Sequence, residues 1–202
     1  MEFMQSETIL NLAKSFAGES QARNRYTIYA GIARKEGHEL IARLFEETAH
    51  NELEHAEEFF KFINELSDHA PVNLRIDAGY PYPLGDTAAN LGFAAEGERE
   101  EHAELYPAFA EHARKEGFAQ VAQKFELIAA IELTHQTRFA QMQQLLTTDK
   151  LYRSSEPIIW RCANCGHIHY GSEAWTICPV CQKPQGWAEK MPGWDQSGPK
   201  GG

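Results

Sequence analysis

The stretch ARKEGHELIARLFEETAHNELEHAEEF (33–59) returns eighty residues later as ARKEGFAQVAQKFELIAAIELTHQTRF (113–139). At that offset Ala42 meets Ala122, Phe45 meets Phe125, Glu46 meets Glu126 and Phe59 meets Phe139. Glu52 meets Glu132, His55 meets His135, and upstream Tyr26 meets Tyr106. Chance does not supply so many identities. The chain therefore holds a duplicated unit, and any site the two copies build together is pseudo-two-fold symmetric. Each copy is rich in Ala, Glu, Leu, Phe and Gln, with few β-branched runs, and turns on a glycine, Gly37 or Gly117. It reads as a helical hairpin with a glycine stop at its corner.

Working outward, the first helix is expected from a Ser6 cap to about Gly37, and the second from about Glu39 to Leu66. Segment 67–86, with three prolines and two glycines, cannot be helical throughout. The third helix is expected from an Asp86 cap to Glu116, and the fourth over about 118–147. Two tight hairpins joined by one long crossover make an all-α four-helix bundle, with helices roughly 42 Å long at about 28 residues each. One irregularity stands out. The repeat offset is 79 between Glu19 and Glu98 but 80 from Tyr26 and Tyr106 onward, so the third helix carries one extra residue. Pro107 follows, and its ring would strike the Ala103 carbonyl in a regular α-helix. A π-bulge between about 99 and 107 is predicted, absorbing the insertion and letting Glu98 and Glu101 face the same way.

Composition narrows the function. The 202 residues are 43% hydrophobic and 24% charged, excluding a disordered tail, and no run is long and apolar enough for a membrane helix. A net charge of −10 argues against nucleic acid or an anionic membrane as partner. The start, MEFMQSETIL, lacks the basic and apolar regions of an export signal, so a cytoplasmic location is expected. No GxGxxG follows a strand, so a nicotinamide would have to be handled by a partner.

Glu52-x-x-His55 and Glu132-x-x-His135 each set a carboxylate and an imidazole on one helix face. The other two helices carry Glu19 and Glu98 at matching depth. One Glu from each of two helices plus Glu-x-x-His from each of the others is the ligand set of di-iron carboxylate bundles, and Glu101 is a further candidate. Carboxylates can bridge and neutralise two cations, and imidazole suits borderline iron. His38, His50, His69, His102 and His112 have no partner at ligand spacing and are expected at the surface or at caps.

After residue 147 the composition changes. A polar linker (148–156) leads to a segment, 157–190, that holds all four cysteines, and 191–202 has the make-up of a disordered tail. Cys162-x-x-Cys165 and Cys178-x-x-Cys181 form two knuckles, which reads as a metal site before it reads as disulfides. The segment is too short for a self-sufficient core, so a tetrahedral metal is expected to fold it. Spacing alone leaves iron and zinc both open.

FAGESQARNRY (16–26), ELEHA (52–56), GEREEHAELYP (97–107) and IELTH (131–135) resemble the di-iron domain of rubrerythrins. Trp160-Arg161-Cys162 and Cys178-Pro179, with Tyr170 and Trp187 as aromatic core, resemble their rubredoxin-like module. The resemblance implies a ferritin-like bundle over 1–147 followed by a small rubredoxin-like knuckle domain with short β-strands. By it Glu52 and Glu132 would bridge two irons, with Glu19, Glu98, Glu101, His55 and His135 as terminal ligands. At one iron Glu101 would bind in the oxidised state and His55 in the reduced state. Tyr26 and Tyr106 match tyrosines that hydrogen-bond ligand carboxylates. The sequence departs from the pattern at Glu96 and His102, where family members are apolar, and at Gln182, where a glycine with positive φ is usual after the last cysteine.

The expected activity is that of a peroxidase, reducing hydrogen peroxide to water at a di-iron site. A third iron held by Cys162, Cys165, Cys178 and Cys181 would relay electrons from rubredoxin or an NAD(P)H-dependent reductase, with zinc able to replace it. The family also implies a homodimer. The alternative is a ferroxidase or iron-handling protein with a structural zinc ribbon.

Overall fold

The computed structural model describes residues 2–70 and 73–191. Helices α1 (Glu7–Lys35) and α2 (Glu39–Leu66) form the first hairpin. The second pairs a composite helix with α5 (Ala119–Thr147); the composite runs through α3 (Thr87–Glu100), a π-helical segment (Glu101–Leu105) and α4 (Tyr106–Glu116). Strands β1 (Arg153–Cys162), β2 (Ile168–Glu173) and β3 (Ala188–Lys190) follow, in an antiparallel sheet of order β2-β1-β3. No helix among the described residues is long and apolar enough to cross a membrane.

The ends form where the side chains supply partners. Ser6 Oγ accepts from the Ile9 amide at 3.2 Å and Asp86 Oδ1 from the Ala89 amide at 2.8 Å, each satisfying a free donor of the first turn. Gly37 (φ +89°) and Gly117 (φ +92°) close the hairpin corners in the left-handed region. The amides of His38 and Phe118 return to the carbonyls of Ala33 and Ala113, both at 2.8 Å, and those of Gly37 and Gly117 to Arg34 and Arg114, both at 3.2 Å, which makes each corner a Schellman stop.

The repeated ARKEG pentapeptide has a further use. Glu36 Oε2 accepts from the Thr87 amide (2.9 Å) and hydroxyl (2.5 Å) at the start of α3. Its copy Glu116 accepts from the amides of Glu7 and Thr8 (both 2.9 Å) and the Thr8 hydroxyl (2.5 Å) at the start of α1. Each corner thus caps the first helix of the other repeat, where the helix dipole also favours an anion.

The core falls into two aromatic clusters, and both repeats contribute to each. Tyr26 and Phe45 take Phe139 (ring centroids 5.3 and 5.1 Å), while Tyr106 and Phe125 take Phe59 (5.7 and 5.1 Å). The crossover runs beside α1, held by Tyr80 Oη to the Lys14 carbonyl (2.9 Å) and Tyr29 Oη to the Pro83 carbonyl (2.6 Å). The predicted π-bulge is present at 101–105, and the Tyr106 amide donates to the Glu101 carbonyl, five residues back.

Strand β1 begins inside the stretch read as linker, because Arg153 pairs across the sheet with Glu173. Tyr152, just before it, packs on the bundle's core and on the Trp160 cluster alike. His38 stands at the start of α2, as a cap position, yet its ring stacks on Tyr152 at 9° between planes. Gly186 meets the same corner so closely that a Cβ there would lie 1.6 Å from the Gly37 carbonyl oxygen. Arg43 lies over the Trp187 ring at 4.7 Å. The expected tail lies outside the described residues apart from Met191, whose amide donates to the Ile159 carbonyl.

Glu116→Ala strips the acceptor from two amides and a hydroxyl at the start of α1. It should lower stability by about 1–2 kcal/mol, at about 2–4 °C of Tm per kcal/mol for a chain of this size. Thermal unfolding followed by circular dichroism reads the shift; an unchanged Tm would mean the cross-repeat caps contribute nothing.

Candidate metal centre

Midway along the bundle, between the two aromatic clusters, Glu19, Glu52, Glu98, Glu132, His55 and His135 are all buried. Helices of 3.6 residues per turn bring the i, i+3 pairs of α2 and α5 inward together. The side chains form two groups of four, Glu19-Glu52-His55-Glu132 and Glu52-Glu98-Glu132-His135, with ligand atoms within 4.8 Å in each. Glu52 and Glu132 belong to both. Glu52 puts Oε2 at 2.9 Å and Oε1 at 3.2 Å from the Nδ1 atoms of His55 and His135 respectively. Glu132 likewise puts Oε1 at 2.9 Å from His55 Nδ1 and Oε2 at 2.7 Å from His135 Nδ1. Each carboxylate is divided between the two groups, which is how a bridging ligand is placed.

These atoms are close but not hydrogen-bonded. Both oxygens of Glu52 and Glu132, Oε2 of Glu19 and of Glu98, and Nδ1 of both histidines are buried without a partner in hydrogen-bond geometry. Eight converging polar atoms with no mutual bonds fit a pair of cations held between them, since buried polar groups are otherwise satisfied. The remaining oxygens of the terminal pair are fixed. Tyr26 Oη donates to Glu98 Oε1 and Tyr106 Oη to Glu19 Oε1, so each tyrosine serves the other repeat's carboxylate.

Electrostatics agree. Burial, then repulsion from neighbouring carboxylates, holds Glu19 and Glu98 well above the usual carboxylate range. Against the opposing effect of burial, contact with His135 and His55 brings Glu132 down to about 2. Burial opposes the charge on the histidines too, but the carboxylates around them raise His55 to about 9 and His135 to about 12. Burial and the adjacent carboxylates also raise both tyrosines, keeping their hydroxyls protonated as donors. The site without cations is thus a store of protons.

Glu101 is placed apart. It lies in the π-helical segment outside both groups of four, whereas His55 lies within one. Among the other histidines, His102 Nδ1 is 2.9 Å from the Ala129 carbonyl oxygen and His112 Nδ1 is 3.4 Å from Asn11 Nδ2; His50 and His69 are exposed.

At the knuckles the four sulfurs gather within 4.8 Å, with Cys162–Cys181 at 3.6 Å and Cys165–Cys178 at 3.7 Å. A tetrahedron with metal–sulfur bonds of about 2.3 Å has edges of about 3.8 Å, so the set fits one tetrahedral ion. Each knuckle is closed the same way: Gly166 and Gln182 donate to the carbonyls of Cys162 and Cys178 (2.8 and 3.0 Å), with φ +78° and +59°. Gln182 therefore takes the left-handed backbone that its position demands, at a cost glycine would not incur.

Comparison with known proteins shows the same division. The rubrerythrin family model matches residues 11–144, and that for the rubrerythrin rubredoxin-like domain matches 160–186. Rubrerythrin-1 of Clostridium acetobutylicum is 47% identical over 184 residues, 91% of this chain and 94% of that protein. Rubrerythrin of Nitratidesulfovibrio vulgaris is 41% identical over 89% of this chain and 92% of its own. Fully reduced, all-ferrous nigerythrin superposes with a TM-score of 0.62 at 30% identity, over 91% of this chain and 86% of that one. A bacterioferritin from Desulfovibrio desulfuricans, 22% identical (TM-score 0.63, 71% and 82% covered), shares the fold.

Metal ions must displace protons from His55 and His135, whose raised values keep both charged at pH 7. Ferrous titration of metal-free protein under argon should release about two or more protons per site, with affinity rising with pH. Calorimetry in buffers of different ionisation enthalpy measures the count; no release would show that neither the histidines nor the terminal carboxylates carry a proton before loading.

Proposed function

The chain belongs to the rubrerythrin family, non-haem di-iron proteins with a rubredoxin-like module, and from that premise we propose that it is a peroxidase reducing hydrogen peroxide to water. The observation that carries the reading is the division of Glu52 and Glu132 between two ligand groups. Bound as a ferrous pair, iron supplies one electron per ion, matching two-electron cleavage of the peroxide O–O bond. In this assignment Glu52 and Glu132 would be shared by two ions, Glu19 and His55 would hold one, and Glu98 and His135 the other. Tyr26 and Tyr106 hold the free oxygens of Glu98 and Glu19, fixing the terminal carboxylates while the bridges adjust.

Glu101 is the ligand held in reserve. With His55 in its group and Glu101 outside, the arrangement suits ferrous iron. Glu101 would offer the harder carboxylate that ferric iron favours over the imidazole. The π-helical segment gives Glu101 the slack such an exchange needs.

Residues 1–147 form the di-iron bundle and 157–190 the four-thiolate module, whose four cysteines would hold an iron able to supply the pair's electrons one at a time. The donor is rubredoxin or an NAD(P)H-dependent reductase. The module packs at the Gly37 corner, and eighteen residues of helix, about 27 Å of rise, separate Gly37 from Glu19. A homodimer in which each module faces the partner's bundle would spare electrons that length of helix.

Metal analysis and NAD(P)H-coupled peroxide turnover on protein purified without air test the reading. Glu52→Ala removes a bridge and should lose at least one iron per site together with turnover. Cys178→Ser should abolish coupled turnover, while the chemically pre-reduced variant still consumes about one peroxide per di-iron site, because every carboxylate and imidazole around that site comes from the bundle helices. Full coupled turnover in Cys178→Ser would make the knuckles a structural zinc ribbon. A red, absorbing four-thiolate centre distinguishes iron there from colourless zinc.

A further inference from the structure

Between α1, the crossover and the π-helical segment lies a cavity of about 340 Å³, lined by Ser15, Gly18, Tyr80, Glu101, Leu105 and Phe109 among others. It adjoins the metal centre, since Gly18 immediately precedes Glu19. A Cβ at Gly18 would stand 3.6 Å from Tyr80 Cε1 and 3.9 Å from Glu101 Oε1, so the aromatic wall and the carboxylate flank the same point.

Two kinds of surface meet there. Tyr80, Leu105 and Phe109 are apolar walls; the Tyr80 hydroxyl is already committed to the Lys14 carbonyl. Ser15, only 4% exposed, has a hydroxyl with no hydrogen-bond partner. A helical serine commonly returns its hydroxyl to the carbonyl one turn back. Ser20, on the same helix, does so to Phe16 at 2.6 Å. Ser15 keeps its hydroxyl for something else.

Size narrows what. A water occupies about 30 Å³, so the cavity has room for a group far larger than hydrogen peroxide, a molecule of two oxygens. We propose that the cavity binds organic hydroperoxides, R–O–OH with a compact branched or aromatic R, as a second substrate class of the di-iron site. The alkyl group lies against Tyr80, Leu105 and Phe109, and the hydroperoxide end lies beside Glu101, where a turn about χ1 of Ser15 brings its unpartnered hydroxyl within reach. The proposal rests on the peroxidase reading above. The chemistry balances as for hydrogen peroxide: the O–O bond breaks, the reduced metal pair gives two electrons, and two protons complete R–OH and water.

The test uses holoprotein purified without air and reduced with dithionite, offered tert-butyl hydroperoxide or hydrogen peroxide. The wild type should convert tert-butyl hydroperoxide to tert-butanol. Leu105→Trp, at the exposed rim, should lower the ratio of kcat/KM for tert-butyl hydroperoxide over hydrogen peroxide by about tenfold or more. Ser15→Ala should raise KM for tert-butyl hydroperoxide about fivefold, the worth of one neutral hydrogen bond. Independently of turnover, saturation-transfer NMR should show tert-butanol contacting the oxidised holoprotein, and Leu105→Trp should abolish the signal. Reduction of hydrogen peroxide alone, or an unchanged ratio in Leu105→Trp, overturns the proposal and leaves the peroxidase reading standing. Consumption of neither substrate overturns both.

Discussion

Four carboxylates in the middle of an apolar bundle are the constraint that governs everything else. Removing each from water costs several kcal/mol even after relaxation, whereas a whole domain is stable by only about 5–15 kcal/mol. Without cations, burial and mutual repulsion push Glu19 and Glu98 toward their neutral forms, while His55 and His135 take up protons. Two dications replace those protons and turn a destabilising cluster into the tie between all four helices. Folding energy and metal affinity are therefore one quantity in this bundle.

The duplication explains how so costly a site is kept rigid. The contacts that fix its terminal carboxylates, its flanking aromatic clusters and its helix ends all cross between the repeats. Tyr26 serves Glu98 and Tyr106 serves Glu19; each aromatic cluster takes its third ring from the other hairpin; each ARKEG corner caps the other repeat's first helix. A single hairpin would have two carboxylates, an imidazole and an unfinished core. Only the pair closes both, so the halves cannot drift apart without exposing the metal ligands to water.

The sequence made the bundle legible because its information is local or periodic. Ser6, Asp86, Gly37 and Gly117 mark their ends by capping chemistry, the Glu-x-x-His pairs by helical spacing, and the π-helical turn by one residue of slipped register ahead of Pro107. The positive φ of Gln182 came from the geometry of a knuckle. What escaped was contact between distant residues. Nothing near His38 announces Tyr152, more than a hundred positions away, and nothing in Gln185-Gly186-Trp187 tells that the glycine meets the Gly37 carbonyl. The start of β1 at Arg153 was hidden in a polar stretch, because its partner Glu173 lies across a hairpin. The position of Glu101 outside both ligand groups is likewise invisible to spacing, which puts it one turn from Glu98.

The π-helical turn at 101–105 also keeps the third helix in phase. Each residue of an α-helix advances the side-chain direction by about 100°, so an extra residue carried in regular α-helix would rotate everything after it by that angle relative to everything before. The wider turn takes up the surplus. Eight residues separate Glu98 from Tyr106 where seven separate Glu19 from Tyr26 in the unbroken α1, yet each tyrosine reaches the carboxylate of the other repeat. The two halves of the third helix thus keep the same alignment as the two halves of the first, and the surplus residue is spent on a bend in the backbone beside the metal centre, where Glu101 sits.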